Sequence, residues 1–185
     1  MAEPEDEAQL VEQARKDPAA FERLYQRYVK RIYNYCYYRT GSGHDAEDLT
    51  ARTFQRVVAH LPHYVARGVP FSAWLYRIAH NLVANWHRDQ ARRRLVSLED
   101  HLPTAAPEHD PERVAEDAEE QRTLLAALRR LTPERQQLVI LKFVERLPNA
   151  EIGAIMGRSE SAVKSLYHRT LINLRDEIDA VERKP

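Results

Sequence analysis

The sequence predicts an all-α fold: two small helical domains joined by a flexible acidic linker. Three observations carry that expectation. Apolar residues recur at helical intervals through most of the 185 residues, with no strand-like alternation long enough to argue for a sheet. Between Leu95 and roughly Ala115 the periodicity stops, among Pro103, Pro107 and Pro111 and many carboxylates. With only five Gly and 43% apolar residues, the flanking blocks have enough side chain to build cores.

The first helix is punctuated at both ends. Asp17 caps it, Pro18 suits the first helical position and Gly41 ends it, with Phe21, Leu24, Tyr25, Tyr28, Ile32 and Tyr35 as its apolar stripe. A second helix is expected to open at Asp45, where Asp45 and Asp48 form a carboxylate pair favoured at an amino end, and to bury Leu49, Thr53, Val57 and Leu61. After a Pro62 to Pro70 loop, a third helix runs from about Phe71 to Arg94 with Trp74, Leu75, Ile78, Leu82 and Val83 inward; Trp74 is assigned to the core. Helical spacing resumes at Leu124, Leu125 and Leu128, and Thr132 with Pro133 starts a helix carrying Leu138, Leu141, Phe143 and Val144. The expected division is an acidic amino-terminal segment at 1–19, a first domain at 20–94, the linker at 95–118, a second domain at 119–177 and a tail at 178–185.

A formal net charge of zero conceals segregation. Residues 21–94 hold thirteen basic and five acidic side chains, 121–185 hold twelve and eight, and 95–120 between them hold one and nine. Two basic blocks on folded units are the footprint of a polyanion partner. The amino terminus is acidic where a secretory signal is basic and then apolar, and the longest aliphatic run is Leu138 to Leu141; the expectation is a cytoplasmic protein with no membrane insertion. The one cysteine, Cys36, has no internal partner for a disulfide and reads as core filler.

The most informative segment lies near the carboxyl end. Asn149 to Met156, then Gly157-Arg158-Ser159, then Glu160 to Leu171 has the form helix, glycine turn, helix. Ile152, Ile155 and Met156 face inward, Ser159 caps the second helix, and Val163, Leu166, Thr170 and Leu174 return to the core. In a DNA-reading helix-turn-helix the second helix enters the major groove, which places Ser161, Lys164, Ser165 and His168 toward base edges and Arg158 and Arg169 toward the backbone. A plain helical hairpin with a solvated face is the bland counterpart. The third helix offers another surface, since Asn81, Asn85, Arg88 and Arg92 recur on one side, with Arg93 following and Trp86 nearby. Amides read adenine, arginines hold phosphate and aromatics stack on unpaired bases.

Three runs, FSAWLYRIAHNL at 71–82, DAEDLTARTFQRV at 45–57 and VKSLYHR at 163–169, together resemble extracytoplasmic-function (ECF) RNA polymerase sigma factors of the sigma-70 family. The resemblance covers residues 20–94 and 120–177, the family's second and fourth regions. It implies that the Asp45 to Leu61 helix docks on the clamp helices of the polymerase largest subunit through Asp45, Glu47, Asp48, Arg52, Gln55 and Arg56. It implies further that the Phe71 to Arg94 helix reads and melts the minus-ten element, and that the Ser159 to Leu174 helix reads the minus-thirty-five element. The flap of the second-largest subunit and an anti-sigma factor are further expected partners. A base flipped from the stack would be captured by the Tyr64 to Phe71 loop with Asn81, and the acidic linker would occupy the polymerase's cationic RNA channel. Ala51 and Arg52 stand where the family commonly has Gln and Glu, and Leu166 and Leu171 where it is commonly basic.

Two other classes fit parts of the sequence. A dimeric helix-turn-helix regulator would use the Asn149 to Leu174 unit alone on a palindromic operator. An enzyme would rest on His60 and His63, or on His44, Asp45 and Asp48; no further ligand is spaced to join either group, and no Ser/His/Asp or Cys/His arrangement can be argued. The expectation is therefore no catalytic residues, no metal and no cofactor.

Overall fold

A computed structural model of the chain describes residues 6–66, 68–96 and 123–183. The linker expectation, including Glu108, Asp110, Glu112, Glu116 and Asp117, lies outside the described residues from 97 onward. All regular structure among the described residues is helical.

The first domain contains α1 (Glu7–Ala14), α2 (Pro18–Thr40), α3 (Gly43–His60) and α4 (Phe71–Val96), with one 3₁₀ turn at Leu61–His63. Asp17 caps α2 by accepting from the Ala19 N–H at 2.9 Å, and Gly41, at φ 72°, closes it by donating to the Tyr37 carbonyl at 2.7 Å. A left-handed residue at that position is what glycine accommodates without steric cost. Helix α3 starts two residues earlier than expected. Ser42 is its cap, accepting from the Asp45 N–H at 3.2 Å, so Asp45 sits in the first turn with its carboxylate released for another partner. Buried Thr50 and Thr53 satisfy their hydroxyls on the Ala46 and Leu49 carbonyls, at 2.6 and 2.7 Å, which removes the penalty of burying them.

Helix α1 is a departure from the expected acidic segment. Asp6 caps it at the Ala8 N–H, and Leu10, Val11 and Ala14 are buried against α2, while Asp6 and Glu12 stay exposed. Tyr28, buried in α2, donates its hydroxyl to Glu7.

The second domain contains α5 (residues 123–130), α6 (Pro133–Val139), α7 (Asn149–Met156) and α8 (Glu160–Glu182). Helix α6 runs into a π turn at Ile140–Val144, so the Glu145 N–H reaches back five residues to the Ile140 carbonyl at 3.0 Å. Arg146 follows with φ 55°, a left-handed conformation unusual for a side-chain-bearing residue. Phe143, expected in the apolar stripe, is 48% exposed. Helix α8 extends to Glu182, beyond the expected end of the domain at 177.

The two domains pack together. Helix α7 lies on α4, the π turn lies on α2, and one continuous core runs from Leu10 to Leu166. Arg31 of α2 donates to Glu145 at 2.9 Å; the Glu145 side chain is 3% exposed and that of Arg31 31%. Arg31 also lies over the rings of Tyr28 and Tyr76. A second bridge joins Ser72 of α4 to Glu151 of α7.

Candidate nucleic-acid interface

In the second domain, local chemistry builds a tightly turned pair of helices. Gly157, at φ 67°, turns the chain, and Ser159 caps α8 by accepting from the Ala162 N–H at 3.3 Å. The turn is tight: a Cβ on Gly153 would stand 2.6 Å from the Arg158 carbonyl oxygen, so only glycine lets α7 approach the start of α8 so closely. Val163, Leu166 and Thr170 are buried, the last donating its hydroxyl to the Leu166 carbonyl at 2.7 Å. Leu166 is thus a core residue rather than a missing basic contact.

The opposite face of α8 carries the expected readers. Ser161, Lys164, Ser165, His168 and Arg169 are all exposed on a surface with helical spacing. Lys164 pairs with Glu160 at 2.9 Å on the solvent side, a surface pair worth only a few tenths of a kcal/mol and readily exchanged for phosphate. Arg158 is exposed too, but its Nε donates to Glu134 of α6 at 2.7 Å, tying the turn to its own domain.

In the first domain, Asn81, Asn85 and Arg88 of α4 line a crevice facing the second domain, and Arg92 and Arg93 are exposed beyond it. Arg88 donates to the Asn85 side chain. The indole Nε1 of Trp86 donates to Asp45 at 3.0 Å and is half-buried, so a residue expected at the DNA and one expected at the polymerase hold each other. Of the α3 residues, Glu47, Asp48, Arg52 and Gln55 form an exposed strip, with Asp48 and Arg52 paired at 3.4 Å. Arg56 is also exposed but turns into a crevice beside Asn81 and Asn85.

The loop pocket differs from its expected composition. A cleft of about 390 Å³ is lined by His60, His63, Tyr64, Val65, Val69, Trp74 and Arg77. Trp74 is only partly buried and belongs to this cleft as well as to the core, with its ring 4.9 Å from Tyr64 and 5.5 Å from Phe71. Asn81 is absent from it. Seven residues beyond Trp74, it is ~10 Å further along the helix axis, lining the crevice instead. The structure therefore separates the aromatic cleft, suited to a base, from the amide and arginine surface.

Cys36 is fully buried, and burial pushes its thiol up to about 12, so it is chemically quiet. No group of three or more metal-ligating side chains occurs among the described residues. No described helix is long and apolar enough to cross a membrane.

The family model for Sigma-70 region 2 matches residues 24–93, and that for Sigma-70, region 4 matches residues 121–174. The chain belongs to the sigma-70 family, in its ECF group. It is 38% identical over 167 residues to the ECF RNA polymerase sigma factor BldN of Streptomyces coelicolor, covering 90% of this chain and 63% of that protein's length. It is 37% identical over 180 residues to the ECF sigma factor SigE of Mycolicibacterium smegmatis, covering 94% of this chain and 69% of the relative. Among solved structures, CnrH in complex with the cytosolic domain of CnrY shares the fold at a TM-score of 0.68 and 22% identity, over 94% of this chain and 97% of that one.

Proposed function

We propose that this chain is a promoter-specificity subunit that binds core RNA polymerase in the cytoplasm and directs transcription initiation, without catalytic chemistry of its own. The observation carrying this is the match to both sigma regions in order, the first spanning α4 with its amides and arginines and the second spanning the helix-turn-helix. Helix α8, through Ser161, Lys164, Ser165 and His168, reads the upstream element; Arg158 and Arg169 hold backbone. Helix α4, through Asn81, Asn85, Arg88, Arg92 and Arg93, engages the minus-ten element, and the aromatic cleft around Tyr64 and Trp74 receives a base flipped from the stack. The α3 strip of Glu47, Asp48, Arg52 and Gln55 docks on the clamp helices, and the second domain on the flap. The acidic segment between the domains lies in the polymerase's cationic RNA channel. An anti-sigma factor is a further partner, as NepR is for the sigma factor RpoE of Bartonella quintana.

Run-off transcription on a genomic promoter library, with purified bacterial core polymerase in the presence and absence of this chain, tests the proposal. Starts that appear only with the chain and share two short elements at fixed spacing support it. No new starts, together with polymerase-independent binding to a palindrome, would establish the dimeric regulator instead.

A further inference from the structure

The crevice between the domains has an electrostatic character that neither packing nor promoter reading accounts for. About 920 Å³ in volume, it is bounded by Arg39, Arg56 and Arg88 from the first domain and by Arg129 from the second, and among the described residues no carboxylate lines it. Arg39 is only 2% exposed, yet its partners are neutral. One Nη donates to the Tyr35 hydroxyl at 3.2 Å, its Nε has no hydrogen-bond partner, and no acidic side chain pairs with it among the described residues. The Tyr35 hydroxyl sits 3.2 Å from His80 Nδ1, and burial together with Arg39 pushes the His80 pKa down, which keeps that ring neutral. Position in the last turn of α2 offsets part of the charge through the helix dipole. A buried guanidinium without a counter-anion is nevertheless costly, and proteins rarely retain one unless an anion arrives.

The second domain closes the far wall. Arg129 reaches across to the end of α2 so closely that a Cβ on Gly41 would stand 1.8 Å from its guanidinium. Guanidinium forks match phosphate oxygens in pairs, and four around one volume suit several linked phosphates rather than one. Beside them Ala84, Leu131 and Pro133 supply an apolar ledge. A B-form duplex, ~20 Å across, cannot enter, whereas the volume falls within the range of small-ligand sites, ~300–1,000 Å³.

We infer that the interdomain crevice is a binding site for a free nucleoside polyphosphate, whose phosphates neutralise Arg39 and Arg129 together and whose base rests on the Ala84, Leu131 and Pro133 ledge. A bound nucleotide bridges the domains and covers Asn81, Asn85 and Arg88, so it competes with promoter DNA for α4. This inference does not depend on the promoter assignment, because binding is read directly on the chain alone.

The test is isothermal titration calorimetry and thermal melting of the intact chain with ATP, GTP and inorganic tripolyphosphate in magnesium-free, phosphate-free buffer. Expected are one saturable site for a nucleotide, a loss of affinity of at least tenfold in Arg39→Met and in Arg129→Ala, and no change in Arg175→Ala, exposed on α8. Without ligand, Arg39→Met should melt at a higher temperature than wild type, because it removes an uncompensated charge; a merely structural arginine would do the opposite. Equal affinity for tripolyphosphate and nucleotides would overturn the nucleoside part, and unchanged nucleotide binding in both arginine variants would overturn the site. A chain with Glu108, Asp110, Glu112, Glu116 and Asp117 neutralised provides one more arm. If its nucleotide affinity rises tenfold or more, the occupant is the chain's own acidic segment and the inference fails.

Discussion

Arg31→Ala should open the molecule. Minus-ten and minus-thirty-five elements are ~25 base pairs apart, which along B-DNA is ~85 Å, whereas a compact chain of this length has a radius of gyration of ~16 Å. If the two domains read the two elements as proposed, the closed arrangement cannot reach both, and the contacts holding it shut oppose promoter engagement. The Arg31 to Glu145 bridge, at 2.9 Å, is the most buried ion pair between the domains. Removing one partner of a fully buried pair costs about 3–5 kcal/mol; since the Arg31 side chain is 31% exposed and water reaches it, a cost of about 2 kcal/mol is appropriate. Opening rehydrates Glu145, so this penalty falls on the closed state alone and shifts the closed-to-open ratio by about 25-fold. A chain initially closed a hundredfold would become open in about a fifth of molecules. The assay is the distance distribution between labels on introduced Gln55→Cys and Asp176→Cys; Cys36, fully buried, stays unlabelled. Arg31→Ala with Glu145→Ala should restore closure, because no unpaired carboxylate remains. A distribution identical to wild type, accompanied by an equal loss of global stability, would refute the reasoning: the bridge would then stabilise a body that does not open.

Other expected outcomes are more local. Gly153→Ala should lower the unfolding free energy by about 1–3 kcal/mol, read as a lower denaturant midpoint with unchanged slope, since its methyl meets the Arg158 carbonyl at 2.6 Å and backbone yields little. Lys164→Ala with His168→Ala should weaken use of the upstream element by about 1–3 kcal/mol per lost base contact, measured by competition between promoter sequences; a silent pair would remove α8 as the reading helix. Burial, and then the charge of Glu151, raise the Glu7 pKa, so the fold favours its protonated form. Glu7→Gln should therefore exceed wild type in stability at neutral pH, with the difference closing as pH falls below the ordinary carboxylate range; melting curves across pH check the sign.

The parts of the molecule legible in advance are those governed by short-range rules. Asp17, Pro18 and Gly41 bound α2, and Gly157 and Ser159 set the turn between α7 and α8, because caps and turns depend on neighbours within four residues. The outward face of α8 was likewise accessible from helical phase, and Ser161, Lys164, Ser165, His168 and Arg169 are all exposed on it. Helix α1 escaped because its carboxylates dominate composition while only Leu10, Val11 and Ala14 carry the buried face. The start of α3 was displaced because Asp45 resembles a cap, when Ser42 takes that role and Asp45 serves Trp86, 41 residues away. Glu145 carries no sequence signal at all: its burial arises from a π turn and a partner 114 residues distant. Asn81 shares a helical face with Trp74, but axial distance places them in different clefts.

The bond from Trp86 to Asp45 makes the chain its own sensor. One end is rooted on the helix proposed to meet polymerase, the other beside the amides proposed to meet DNA. Any partner that draws the Asp45 carboxylate away leaves the indole N–H without its acceptor and changes the polarity around the ring. Emission from Trp86, isolated from the second tryptophan by Trp74→Phe, would then report the docking of one macromolecule from the surface that handles the other, without an added dye. Such an optical signal would show in real time whether the two encounters occur independently or in obligate order.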